Sequence, residues 1–425
     1  MRRSRQVPVN RFGNNIFVNP SVPRSPIESY RRSRPGLVLT GGGARSAYQV
    51  GVLRAISTLL AHDAPSPFPI VTGMSAGAIV ASAVACHASR FREGAVALER
   101  VWRNFHVDQV FRADRGSMLR AACRWLAAFL STGRLVRPPE SLFDSSPLRR
   151  LLEQHYDFGR MREAMERRHL DVLGIAVSSY RAARSVTFYE SRSGYQAESG
   201  AWPEGVRTAL TVEHLLASSA VPFLFPAIRM DGEYYGDGAM RQLAPLSPAI
   251  ELGADSLFVV GVRSVLGAAA LPAPRPADAP SVGQIIGFML DTLFIDSLQS
   301  SIAQLDRINR LIAQSAVANP EGLRHIDALV ITPRVDFSEI AVRHARAMPR
   351  TLRALLRTIG GASAGGAELL SYLLFESTYT RELIALGMED AMARADEVRS
   401  FLDASGRADA THRRDSAPER LPLVG

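Results

Sequence analysis

Ser75 lies in Gly73-Met74-Ser75-Ala76-Gly77, a G-x-S-x-G pentapeptide. In this pattern a serine rides a sharp strand-to-helix turn, and the small neighbours make room for the crowded backbone. The hydroxyl then faces a substrate, and the chemistry is nucleophilic attack on a carbonyl. Both flanks fit: Phe68–Thr72 is a short apolar run, and Ala78–Ala88 is apolar nearly all round, as in a buried helix. Gly41-Gly42-Gly43-Ala44-Arg45 is the second run with chemical potential. Residues without side chains let backbone N–H groups converge on an oxyanion, and Arg45 adds positive charge beside them. Gly41 and Gly43 also begin a G-x-G-x-x-G nucleotide fingerprint, but Ser46 occupies its sixth position, and no G-K-[ST] phosphate loop follows. Taken alone, the glycines read as a turn.

A serine nucleophile needs a proton acceptor. All 50 basic residues are arginine, so no lysine can serve. Among nine histidines, His87 stands twelve positions after Ser75, about 18 Å along a continuous helix and out of reach. His214 is the best placed histidine. Asp237, in Gly236-Asp237-Gly238-Ala239, is the alternative: a desolvated carboxylate beside the hydroxyl can have its pKa raised enough to take the proton. By spacing alone Asp237 reads first as the turn residue of an Asp-Gly pair. Two cysteines, Cys86 and Cys123, are too few for a disulfide framework or a zinc site, and read as small buried hydrophobes. No H-E-x-x-H motif occurs, and neither metal nor cofactor is expected.

Short apolar runs separated by helical patterns must position these residues. Gly36–Thr40, Phe68–Thr72, Leu170–Ser178, Ser185–Glu190, Ser256–Val262 and Asp327–Thr332 read as strands. Asp231-Gly232 joins Ala227–Met230 to Glu233–Tyr235 in a predicted hairpin. Ala47, Val50, Leu53, Ile56 and Leu60 mark one apolar helix face. Ser117–Arg137 is expected to be a basic amphipathic helix, and Gln284–Ile312 and Met348–Leu402 read as helical. The expected class is α/β, with a mostly parallel sheet covered by helices on both faces.

At 425 residues, 47% hydrophobic and 21% charged, the chain is neither disordered nor a disulfide-stapled mini-domain. The net charge of +9 is uneven: residues 1–34 hold eight arginines against Glu28 alone. Such an arm is a solvated tail or a contact for anionic membrane; nucleic acid is not an expected partner. Neither a secretory signal nor an uninterrupted apolar stretch of spanning length occurs, which gives the expectation of a cytoplasmic protein, peripheral at most on the inner membrane face. The expected division is a basic arm (1–34), a catalytic domain (35–250), remaining strands with a helical extension (251–402) and a loose tail (403–425). Leu266–Pro280 reads as a Pro/Ala-rich loop. The oligomeric state is left open.

In order and approximate spacing, Gly41–Arg45, Gly73–Gly77 and Asp237-Gly238-Ala239 resemble the patatin-like phospholipases. Ala217–Pro222 through Phe225-Pro226, and Leu142–Leu148, also resemble that family. The resemblance spans about residues 36–250. It implies a three-layer α/β fold and a lipid or phospholipid substrate. It implies a Ser75–Asp237 dyad that needs no histidine. Gly41, Gly42, Gly43 and Arg45 would form the oxyanion segment, with Gly73, Gly77, Gly238 and Ala239 supporting the motifs. Ser46 replaces the family's glycine there. The expected reaction is hydrolysis of carboxylic esters through an acyl-enzyme. An acyltransferase or thioesterase on the same dyad is the alternative, as is a non-catalytic membrane scaffold.

Overall fold

The apolar runs become the centre of one nine-stranded sheet. The computed structural model describes residues 33–112, 116, 141–197, 202–263, 279–292, 297–314, 323–360 and 366–404. The arm to residue 32, the Ser117–Arg137 segment, Cys123, residues 264–278 of the Pro/Ala-rich loop and the tail from 405 lie outside the described residues. The strands are β1 (Pro35–Leu39), β2 (Ile70–Met74), β3 (Val172–Ser179), β4 (Arg184–Ser191), β5 (Gly205–Arg207), β6 (Ile228–Met230), β7 (Glu233–Asp237), β8 (Ser256–Val260) and β9 (Asp327–Ile331). The helices are α1 (Ala47–Leu59), α2 (Ala76–Cys86), α3 (Phe91–Trp102), α4 (Ser146–His155), α5 (Phe158–Glu166), α6 (Val212–Ser218), α7 (Ser247–Glu251), α8 (Val282–Asp291), α9 (Ser297–Gln314), α10 (Phe337–His344), α11 (Arg350–Thr358), α12 (Ala367–Leu373) and α13 (Ser377–Ala393).

The order across the sheet is β5-β4-β3-β2-β1-β8-β9, and every neighbouring pair from β3 to β9 is parallel. Leu37 and Leu39 point into one apolar layer with Val50 and Ile56 of α1, while Val38 points into the other with Leu298 and Leu305 of α9. Both faces are therefore covered, which is why these strands read as continuous apolar runs rather than alternating ones. The fold is the mostly parallel α/β arrangement expected from the sequence.

β3 is the strand on which the site depends. Its eight residues are longer than β2 alone can cover. β2 runs parallel to its first part, ending with Met74 opposite Ala176. Antiparallel β7 then takes over, with Asp237 opposite Val177. The β6–β7 hairpin forms where expected. Asp231 and Gly232 both have positive φ, 48° and 83°, as a type I′ turn requires.

Several boundaries shift. β2 starts at Ile70, not Phe68, because Pro69 has no N–H to give to a ladder. The glycine run opens a short 3-10 turn, Gly43–Ser46, before α1 begins. Gln284–Ile312 contains α8 and α9, with residues 293–296 between them outside the described set. No helix among the described residues is long and apolar enough to cross a membrane.

Candidate active site

Ser75 occupies the turn between β2 and α2, with φ 52° and ψ −134°. A non-glycine residue is rarely found there, at a cost of about 1–3 kcal/mol that the surrounding packing must hold. The packing is tight enough. A Cβ on Gly77 would meet the carbonyl oxygens of Leu39 and Thr40 at 2.4 Å, so the first turn of α2 lies directly against the end of β1. The Ser75 N–H donates to Ser218 Oγ at 2.9 Å, and Ser218 Oγ donates to the Ala176 carbonyl at 2.7 Å. One side chain on α6 thus ties the Ser75 backbone to β3. The positive end of the α2 dipole also falls at Ser75, where anionic charge is favoured.

Asp237 ends β7 and is 1% exposed. Its N–H donates to the Ala220 carbonyl at 2.9 Å, and its carbonyl accepts from Ser178 Oγ at 2.8 Å. Its Oδ1 accepts the Ala239 N–H at 2.9 Å. A Cβ on Gly238 would fall 2.2 Å from the Ala176 carbonyl oxygen, so glycine after the aspartate lets β7 close onto β3. Burial pushes the Asp237 pKa from 3.8 to about 7, and hydrogen bonding from the Ser75 side chain and the Ala239 N–H restrains the rise. Oδ2 nevertheless has no partner of proper hydrogen-bond geometry among the described residues. Ser75 is thus close enough to act on the carboxyl without a short, aligned bond.

Gly43 lines the same apolar cleft as Ser75. Its φ is +54°, and a Cβ would stand 2.5 Å from the Tyr372 carbonyl oxygen. The N–H groups of Gly42 and Gly43 donate to no protein acceptor among the described residues. Arg45 is placed differently. Its N–H closes the turn onto the Gly42 carbonyl at 3.1 Å. Its guanidinium is 1% exposed, donates to Ser371 Oγ at 2.7 Å and Asp291 Oδ1 at 3.3 Å, and pairs with Glu368. It also lies 3.9 Å from the centre of the Tyr372 ring. Burial lowers its pKa, but Tyr372, Glu368 and Asp291 outweigh that and raise it. The side chain thus braces the glycine turn against α8 and α12, segments far along the chain.

The cleft beyond Ser75 is almost wholly apolar, with an empty volume of about 1100 Å³ including its open mouth. One face of α2 forms its floor: Ala76, Ile79, Ala83 and His87 recur at helical spacing away from Ser75. Leu148 and Leu152 of α4 form another wall. That helix starts directly after the Leu142–Ser145 segment, whose Phe143 N–H donates to the Leu224 carbonyl at 2.9 Å.

His214 and His87 are engaged in other contacts. His214 Nδ1 accepts the Thr211 N–H at 3.1 Å to cap α6, and the ring meets Phe188 edge-on at 4.9 Å. His87 ends α2 and lies in the cleft, its Nδ1 3.1 Å from the Ala83 carbonyl. Cys86 is a buried free thiol whose pKa burial pushes up to about 12, in keeping with a packing role. Ser218 escaped the sequence reading. Its segment, Ala217–Pro222, is singled out there, but no spacing rule links a helix-borne serine to the backbone of another serine.

A strained serine at a strand-to-helix turn, a buried carboxyl on the adjoining strand end and an apolar cleft thus stand together in one α/β fold. The chain belongs to the patatin-like phospholipase family, whose model matches residues 37–250. VipD from Legionella pneumophila aligns at 14% identity, over 83% of this chain and 67% of its own, with a TM-score of 0.31. Human GIVD cytosolic phospholipase A2, in complex with methyl gamma-linolenyl fluorophosphonate, aligns at 14% identity over 91% of this chain, with a TM-score of 0.39. The chain spans 60% of the length of that human protein. No curated protein matches the chain.

Proposed function

We propose that this chain is a lipid acyl hydrolase that cleaves carboxylic esters through Ser75 and Asp237. Ser75 Oγ attacks the acyl carbonyl as its proton passes to Asp237. The negative charge that builds on the carbonyl oxygen is met by the Gly42 and Gly43 N–H groups and the N-terminus of α2. Asp237 then returns the proton to the departing alcohol oxygen, leaving the acyl group on Ser75. Water attacks this ester, Asp237 takes its proton, and the fatty acid leaves as Ser75 Oγ recovers a proton. The acyl chain lies along the α2 floor, between apolar walls.

The observation that carries this reading is the register on β3: the residue opposite Ala176 immediately precedes Ser75, and the residue opposite the next position is Asp237. A carboxyl with a pKa of about 7 suits proton transfer in both directions near neutral pH. The test is a panel of phospholipid and simple esters given to the wild type and Ser75→Ala, together with a fluorophosphonate label. Fatty acid release and labelling at Ser75 are expected in the wild type, and neither in the variant. Hydrolysis that persists in Ser75→Ala would assign the chemistry to another group.

A further inference from the structure

Helix α8 lies outside the family-matched segment and is built two-sidedly. Gly283, Gly287, Leu290 and Asp291 face inward. Val282, Ile285, Phe288 and Met289 face solvent, at 57%, 46%, 73% and 53% exposure. Four large apolar side chains on the outside of a ten-residue helix exceed the scattered exposure of an ordinary surface. The face adjoins the cleft. Leu290, next to Met289, lines it, and so do Leu373 and Tyr372 of α12, on which α8 packs. On another segment Phe223 is 78% exposed, and its neighbours Val221, Leu224 and Phe225 also line the cleft.

The acids beside this face are paired: Glu368, against which Gly287 packs, is paired with Arg45. The only ionisable residue on α8 is Asp291, buried and paired with Arg45 and Arg263. Helix α11 carries three arginines and no acid, and Arg350 and Arg357 are exposed. Its end is joined to the head of α8 by the Gly283 N–H, which donates to the Ile359 carbonyl at 2.7 Å. An apolar face whose adjoining helix carries exposed arginines, with no ion pair among the described residues, complements a surface that is apolar inside and anionic outside.

We propose that the outer face of α8, flanked by the arginines of α11, docks this protein on an anionic phospholipid surface and brings the cleft mouth to the lipid. This rests on the lipid-hydrolase reading for what the docking delivers, but binding itself needs no catalysis. The test is co-sedimentation of the full chain, in a Ser75→Ala background, with vesicles of phosphatidylcholine alone or mixed with phosphatidylglycerol. Binding to the mixed vesicles is expected to exceed binding to phosphatidylcholine. Phe288→Ser with Met289→Ser should weaken it tenfold or more, and Arg350→Gln with Arg357→Gln should remove the preference for the anionic lipid. With Ser75 restored, Phe288→Ser/Met289→Ser should hydrolyse a soluble short-chain ester as the wild type does and vesicular lipid more slowly. Equal sedimentation of the Phe288/Met289 variant and its parent, or no sedimentation of either, overturns the proposal. So does light scattering that shows a dimer which the same variant dissolves, since a second copy would then cover the face. Vesicle binding that follows these rules in a protein without any esterase activity would leave docking intact and defeat the active-site reading instead.

Discussion

Ser75 and Asp237 reach one point because two strands share one edge of β3: Met74 pairs with Ala176, and Asp237 pairs with the next residue, Val177. Strand ends rather than loops therefore position the pair. Ser218 locks the arrangement from α6 by bonding to both the Ser75 N–H and the Ala176 carbonyl.

Removing either member of the pair should eliminate turnover while leaving the fold. For Ser75→Ala and Asp237→Asn the expected fall in kcat/KM is at least ~10³-fold. His214→Ala tests the competing base. Because His214 caps α6, its loss should lower stability by about 0.5–2 kcal/mol while the folded protein keeps most of its activity. Ester hydrolysis and thermal unfolding of the three variants side by side decide between the two bases.

The Asp237 carboxyl also makes a pH prediction. Its folded pKa of about 7 lies above its ordinary value of 3.8. The folded state therefore holds a proton that the unfolded chain releases between those values, so stability falls as pH rises through this window, by on the order of 4 kcal/mol. Activity runs the other way: kcat/KM should climb as Asp237 ionises near pH 7. Asp237→Asn should be inactive yet more stable than the wild type at pH 8, with the advantage fading toward pH 4. Denaturation midpoints across that range check the sign.

Arg45 should prove a brace. Truncating it leaves Asp291 and Glu368 without their buried cation, and such a loss costs about 3–5 kcal/mol. Arg45→Ala is accordingly expected to unfold at much lower denaturant. A guanidinium that served only to bind the oxyanion would instead reduce kcat with little change in stability, so denaturation and kinetics on one preparation separate the two roles.

The floor of the cleft predicts a change in selectivity. Ala83 lies on the α2 face that runs from Ser75 toward His87. Ala83→Phe should obstruct the far part of the cleft. Hydrolysis of long-chain esters should drop tenfold or more relative to short-chain esters, which need only the part nearest Ser75. Equal losses on both would mean that the acyl chain takes another route.

Much of this was legible from local order. The glycine-flanked serine between an apolar run and an apolar helix marks the strained strand-to-helix turn, and Asp231-Gly232 marks the hairpin, because both depend on a few adjacent residues. Short elements such as α6 and β5 leave no sequence signal, since three to seven residues show no dependable period. Its sequence neighbours, the glycines, place Arg45 beside an oxyanion, while its actual partners Asp291, Glu368 and Ser371 lie far along the chain.

The amino-acid order alone thus determined the class of fold, the turn that strains Ser75 and the candidate status of Asp237, all set by backbone preference and apolar patterning over short range. Only the tertiary structure decided that Asp237 rather than His214 stands by Ser75, that Ser218 holds the turn, and that Arg45 is buried among Ser371, Asp291 and Glu368. Those outcomes depend on strand register, burial and which distant charges meet, and each is a property of the packed chain as a whole.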